Sequence, residues 1–295
     1  MTDDCEIIEG DCLGVLRTLP TGSVGHVVTD PPYGQTNEGY DSPVAFDPAV
    51  WRECYRVTGP NAALVSFAGS PTYHKIASAI EAGGWNVRQM WGWVYRNGFI
   101  TSAWPREGFD RLAPAMDPIC FATKGKVLLD LKREGDAIWK RDANSRGRPS
   151  FSERTSSHGL TQAVGHWPRT LTSDGVEGFE YFNLAPNSTR MKAERVGHPN
   201  QKPVKLLEWL VGKLPNGVIL DPFAGSGTTG IACLNLGYGF IGVERDPGYF
   251  AIADGRLKAC QAANDQRLNL FGPPPNLRLP EPDDTKPAFR QISIL

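Results

Sequence analysis

The sequence predicts an α/β fold built on a mostly parallel sheet. Three observations carry that expectation. Short apolar runs alternate with segments of helical period, each run ends in a proline, glycine or acidic turn, and the rhythm breaks once in mid-chain before it resumes. Length and composition permit such a fold: 295 residues, 40% apolar and 21% charged, suffice for one large core or a core with a modest second module.

In order, CEIIEGD reads as a strand ending at Asp11 and CLGVLRTLP as a helix stopped by Pro20. VGHVVTD reads as a buried strand over Val24 to Val28, which the chain leaves just after Asp30 because Pro31 and Pro32 cannot continue it. DPAVWRECYRVTG predicts a helix with Asp47 as N-cap, and AALVSFAG a strand. SPTYHKIASAIEAGG predicts a helix capped by Ser70 with Pro71 at its first position, and WNVRQMWGWVYR one strand or two.

After PICFATKG the pattern fails. From about Lys126 to Gly197 there is no clean period, but there are basic residues, clusters such as NSRGRPSFSERTSSHG, and scattered aromatics. About seventy such residues inside a compact fold predict an inserted recognition module rather than a loop. The alternation returns with KPVKLLEWLVGKLP, GVILDPF, SGTTGIACLNLG, YGFIGVE and PGYFAIADGRLKAC, and the segment from Pro273 is proline-rich and expected to be extended or disordered. The expected division is therefore 1–125 and 198–270 as two halves of one domain, 126–197 as the insert, and 271–295 as a tail.

Charge follows the same division. The net charge is −1, yet Ala122 to Lys205 holds 15 Lys and Arg against 9 Asp and Glu, a local balance of +6 that leaves −7 for the remainder. A basic segment in an acidic body suggests a face for a polyanion, although a solvated loop region gives the same count. The six cysteines are far apart, with no C-x-x-C pair and no histidine at ligand spacing, so buried thiols are expected rather than disulfides or a metal site. The opening MTDDCEIIEG has no basic segment leading into an apolar stretch, and no run approaches eighteen apolar residues. Neither secretion nor a membrane partner is expected, and the cytoplasm is the expected location.

Two stretches carry chemistry. DPPYG places an acid, two rigid residues and an aromatic ring at the carboxyl end of a strand, the edge where open α/β sheets bind ligands. VILDPFAGSGTTG reads as strand, glycine loop and helix start, with glycines at 225 and 227 to let the backbone approach a ligand and Thr228 and Thr229 at a helix N-terminus suited to an anion. Glu244 ends the next strand, 19 residues after Gly225, where an acid grips the ribose hydroxyls of an adenosine. The loop lacks the lysine of a triphosphate-binding loop. Pyrophosphate and an amino-acid carboxylate fit it equally, and a nicotinamide cofactor satisfies this much.

Taken together and in this order, TDPPYG at 29–34, HPNQKP at 198–203 and DPFAGSGTTG at 221–230 resemble the amino-methyltransferases of DNA in their permuted "beta" arrangement. The likeness covers about residues 5–125 and 196–260, with the irregular segment where that family carries its target-recognition region. It implies a Rossmann-like methyltransferase fold, S-adenosylmethionine as cofactor and double-stranded DNA as partner. By the resemblance, Asp221, Phe223, Gly225, Gly227, Thr228 and Lys202 hold the cofactor's methionine part, Glu244 its ribose, and Asp11 its adenine amino group.

In the same family Asp30, Pro31, Pro32 and Tyr33 act on the target base. An exocyclic base amine is a poor nucleophile because its lone pair is delocalised into the ring. An acceptor that pulls on the amine hydrogens, here Asp30 with the Pro31 carbonyl, favours a pyramidal nitrogen whose lone pair points at the methyl donor. Pro32 keeps that geometry rigid, and the Tyr33 ring can stack on a base extruded from the helix; a stacking ring alone would tolerate Tyr33→Phe. The chain contains no Pro-Cys dipeptide, which disfavours carbon-5 cytosine chemistry.

Asp30 leans toward adenine N6 as target, with cytosine N4 as the alternative. Glutamine methylation is disfavoured because Asp30 precedes the glycine loop. A dehydrogenase has no use for Asp30 to Tyr33, and a catalytically silent DNA binder would not retain Asp30, Tyr33 and Glu244. Arg146 and Arg148 of the insert are candidate DNA contacts. A homodimer and a separately acting cognate restriction nuclease stay open as further partners.

Overall fold

The structure is a computed structural model that describes residues 5–36, 41–94, 116–129, 171–173 and 201–271. Almost all of the expected insert, including Arg146 and Arg148, lies outside the described residues, as do 198–200 of the HPNQKP motif and the tail beyond 271.

The elements run β1 (Cys5–Glu9), α1 (Cys12–Thr18), β2 (His26–Thr29), a 3-10 turn (Pro43–Phe46), α2 (Pro48–Val57), β3 (Ala62–Phe67), α3 (Tyr73–Ala82), β4 (Asn86–Val94), β5 (Met116–Lys124) and β6 (Leu171–Ser173). They continue as α4 (Val204–Gly212), β7 (Val218–Asp221), α5 (Thr228–Leu236), β8 (Gly239–Glu244) and α6 (Pro247–Phe271). The strands form one sheet of eight in the order β1-β8-β7-β2-β3-β5-β4-β6. It is mostly parallel, as expected; β5 alone runs antiparallel to both its neighbours.

Burial on both faces explains why the central strands read as continuous apolar runs rather than alternating ones. All four residues of β2 and all six of β3 are buried. Successive side chains point to opposite faces, so Val27, Leu64 and Leu220 join one core with α1, α2 and α3, while Val28, Val65 and Ile219 join a second with α4, α5 and α6. The first core is anchored by two fully buried indoles that each satisfy their N–H on a backbone carbonyl: Trp51 on Ala45 and Trp85 on Trp51, both at 2.9 Å.

Asp47 caps α2 as expected, accepting from the Ala49 amide. Ser70 does not cap α3. Its hydroxyl donates instead to the Met116 carbonyl at the start of β5, the chain first makes a turn in which the Thr72 and Tyr73 amides bond Gly69, and the helix begins at Tyr73 with Thr72 at its N-cap.

The order of the strands positions the site. β7 and β8 come late in the chain but pair beside β2, in the middle of the sheet. From β2 the chain proceeds through α2 to β3 on one side, and from β7 through α5 to β8 on the other. The crevice at the carboxyl ends of β2 and β7 is thus the point where the winding reverses, the place where such sheets bind ligands. Glu9 of β1 pairs in register with Glu244 of β8, which brings Asp11 to the same edge.

Candidate active site

At that edge lies a cavity of about 320 Å³. Asp30 to Tyr33 form one end of it and the loop from Asp221 to Thr228, with Glu244, the other; Asp11 and Lys202 also line it. Of the expected catalytic and cofactor residues, all of them among the described residues, Gly227 alone is absent from the wall.

Lys202 joins the two ends. It immediately precedes the Pro203 cap of α4, and its ammonium donates to Asp30 Oδ2 at 2.7 Å and to the Tyr33 hydroxyl at 3.0 Å. The hydroxyl in turn donates to Asp30 Oδ1 at 2.7 Å, closing a ring of three groups. The Lys202 side chain is only 8% exposed and lies 5.3 Å from the Tyr33 ring centroid and 5.0 Å from that of Phe67. Burial alone would lower its pKa; the charges of Asp30 and Asp117 outweigh burial and raise it above the ordinary lysine value. A lysine expected from the resemblance to serve the cofactor thus contacts the acid and the ring expected to serve the base.

The Asp30 loop is held by an acid that the sequence did not single out. Asp41, buried just before the 3-10 turn, accepts four backbone N–H bonds: Tyr33 at 2.6 Å and Gly34 at 2.8 Å on one oxygen, Gln35 at 2.8 Å and Thr36 at 2.7 Å on the other. A carboxylate facing consecutive amides gathers them into one rigid turn. Its only signal in the sequence is an acid at the end of the glycine-rich stretch, which any turn also supplies.

Asp221 is 2% exposed and is a hub rather than an open ligand. It accepts from the Thr29 hydroxyl at 2.6 Å, the Thr229 hydroxyl at 2.7 Å and the Phe223 amide at 3.1 Å. Burial pushes its carboxyl up to about 6 despite those three donors.

Glu244 uses one oxygen on the Gly225 amide and the other on the Asp246 amide, both at 2.8 Å, which fastens the glycine loop to the end of β8; burial raises its pKa. Gly225 and Gly227 both have left-handed backbone, with φ of 53° and 76°. At Gly227 a side chain would also meet Ala253 of α6 at 3.0 Å, so this glycine serves the turn and the packing of α6. Arg256 of α6 reaches the same loop, donating to the Ser226 carbonyl. Asp11 caps α1 through the Gly14 amide at 3.0 Å. Phe223 is half-buried, its ring 6.4 Å from that of Trp51.

Among the described residues no cluster of His, Cys, Asp and Glu could hold a metal ion, and no helix is long and apolar enough to cross a membrane. Of the six cysteines, four are buried and Cys5 and Cys260 are partly exposed.

A protein family described as DNA methylase matches residues 24–254. The type II methyltransferase M.HinfI of Haemophilus influenzae is 25% identical over 301 aligned residues, covering 92% of this chain and 74% of its own. Among solved structures, the M1.HpyAVI–SAM complex is 24% identical with a TM-score of 0.54, over 85% of this chain and 99% of that one. The PvuII DNA methyltransferase, described as cytosine-N4-specific, is 18% identical with a TM-score of 0.58, over 91% of this chain and 94% of that one.

Proposed function

The chain belongs to this N6/N4 DNA methylase family, and we propose that it transfers a methyl group from S-adenosylmethionine to the N6 amine of an adenine turned out of duplex DNA. The observation that carries the proposal is the single cavity lined by both Asp30 to Tyr33 and the Asp221 to Glu244 segment. Two motifs almost two hundred positions apart line the same cavity, which supports the reading that the groups they handle meet there.

The cavity suits the cofactor. Its volume lies at the small-ligand end of the usual range. Gly225 leaves the loop backbone bare, Glu244 would offer a carboxylate for ribose hydroxyls, Asp11 on the cavity wall would take the adenine amino group, and Phe223 supplies an apolar wall. When bound, the cofactor supplies an electrophilic methyl group on a sulfonium.

The remaining work falls to the chain. Asp30 and the Pro31 carbonyl accept the hydrogens of the base amine, which concentrates its lone pair. Lys202 holds the Asp30 carboxylate in place from the side. The Tyr33 ring receives the flipped base, and its hydroxyl steadies Asp30. The insert, with Arg146 and Arg148, contacts the duplex. Cytoplasmic action is part of the proposal, and a separate restriction nuclease stays open as a partner.

Asp30 at the head of its motif supports adenine over cytosine. The test is incubation of the purified protein with DNA and isotopically labelled S-adenosylmethionine, followed by digestion to nucleosides and mass spectrometry. N6-methyladenine is expected. N4-methylcytosine would replace adenine by cytosine in the proposal, and an unmodified digest would overturn it.

A further inference from the structure

We propose that Asp117, at the start of β5, is a positioning residue of this site: it keeps the Lys202 ammonium seated beside Asp30 and Tyr33 while the charge on Asp30 changes during turnover. The inference rests on the methyl-transfer reading above and assigns a role to a residue outside all three motifs.

Lys202 occupies a poor place for a cation. It is buried, and it stands just before the N-terminus of α4, where the helix dipole also disfavours positive charge. Two carboxylates offset these costs: Asp30 at 2.7 Å and Asp117 at 3.7 Å, the latter an ion-pair separation rather than a tight hydrogen bond. Asp117 is itself only 18% exposed. The titratable groups facing Lys202 among the described residues are Asp30 and Tyr33 from the loop after β2 and Asp117 from β5.

Two carboxylates are needed because Asp30 cannot serve Lys202 throughout the reaction. When the amine nitrogen gains the methyl carbon, its lone pair becomes the new N–C bond, the pair of the broken S–C bond returns to sulfur so that the sulfonium leaves as a neutral thioether, and one of the N–H protons must leave the nitrogen. Asp30 accepts that proton, so its negative charge is cancelled until the proton passes to water. During that interval a buried ammonium whose only counterion was Asp30 would be left uncompensated and would shift or lose its own proton. Asp117 lies on β5 and is not among the residues that line the cavity, so it is placed to keep its charge while Asp30 is protonated. The reversed direction of β5 matters here: because it runs antiparallel to β3, its first residues, rather than its last, lie at the carboxyl end of β3.

The experiment compares Asp117→Asn and Asp117→Glu with the parent. Turnover is measured from pH 6 to 10, and the Lys202 side chain is titrated by carbon-13 NMR of lysine-labelled protein, its signal assigned by its absence in Lys202→Arg. Asp117→Asn is expected to lower the Lys202 pKa, to move the alkaline fall of kcat to lower pH, and to reduce kcat about tenfold with KM values for DNA and S-adenosylmethionine within about twofold. Asp117→Glu should restore most of each. An unchanged Lys202 titration in Asp117→Asn would overturn the inference. So would equal losses in Asn and Glu variants that track only a lower Tm, which would make Asp117 a packing residue. The titration is independent of substrate, so a parent protein that modifies no base would refute the methyl-transfer reading while the NMR result still decides the role of Asp117.

Discussion

Thr29, the last residue of β2, donates a 2.6 Å hydrogen bond to Asp221, the last residue of β7, across 192 positions of sequence. The bond joins the strand that presents the Asp30 loop to the strand that presents the glycine loop. It fixes the distance between the two halves of the site at the sheet edge.

Removing that bond should be costly because its acceptor is buried. Thr29→Val keeps the shape and leaves Asp221 one donor short, which is expected to destabilise the fold by roughly 1–3 kcal/mol. Urea unfolding measures this. A variant as stable as the parent would mean that Thr229 and the Phe223 amide satisfy the carboxylate unaided.

His26 and Asp221 give stability a pH dependence of opposite sign. The buried His26 ring accepts from the Ala63 amide, and burial lowers its pKa from 6.5 to about 4. The unfolded chain therefore binds the proton first, and stability falls as pH drops from 6.5 toward 4. Asp221, raised from 3.8 to about 6, contributes stability that is present below 3.8 and lost as pH rises through 6. The two oppose each other across that window. His26→Gln removes one of them, so between pH 7 and pH 5 its stability relative to the parent should improve by about 2 kcal/mol, read from melts at both pH values. A pH-independent difference would mean that His26 titrates normally in the fold.

Asp30→Ala should abolish methyl transfer while S-adenosylmethionine affinity, measured by calorimetry, stays within a few-fold. The glycine loop and Glu244 are braced by their own hydrogen bonds, and Asp117 still faces Lys202. Loss of cofactor binding along with activity would make Asp30 a cofactor or folding residue.

The hydroxyl of Tyr33 changes what a stacking ring alone would predict. Because it bonds both Asp30 and Lys202, Tyr33→Phe is expected to lose about tenfold in kcat, in line with one charge-assisted bond of about 1.5 kcal/mol. Tyr33→Ala should lose more and also melt lower, since the ring packs against both cores. A Phe variant with parental kcat would return the whole role to the ring face.

Asp41→Ala leaves four amides of the loop after Pro32 without their acceptor. At least about 2 kcal/mol of stability should go, with a larger loss of kcat than of cofactor affinity. Asp41→Asn is expected to be nearly as harmful, because its amide nitrogen would face two N–H donors. Hydrogen exchange at residues 33–36 checks the cause: unchanged protection would show that the turn holds itself.

What the sequence determined by itself is local in origin. The apolar runs of β2, β3, β7 and β8, the Asp47 cap, the prolines that end β2 and the glycines of the loop before α5 each follow from a few neighbouring residues, through burial, missing amides and backbone freedom. The loops after β2 and β7 were legible as ligand-binding candidates for the same kind of reason, each leaving the sheet at a strand's carboxyl end, whereas HPNQKP gained its meaning only from the family resemblance. Only the tertiary structure decided how those loops share their side chains. It set Lys202 against Asp30 and Tyr33, buried Asp221 between Thr29 and Thr229, gave Asp41 four amides to hold, sent Ser70 to Met116 instead of to its helix, and packed Gly227 on Ala253. Thirty-two acids of similar intrinsic chemistry stand in this chain. Nothing within a few residues distinguishes one that caps a helix from one that neutralises a buried lysine, because the difference lies in which strand ends the sheet order brings together.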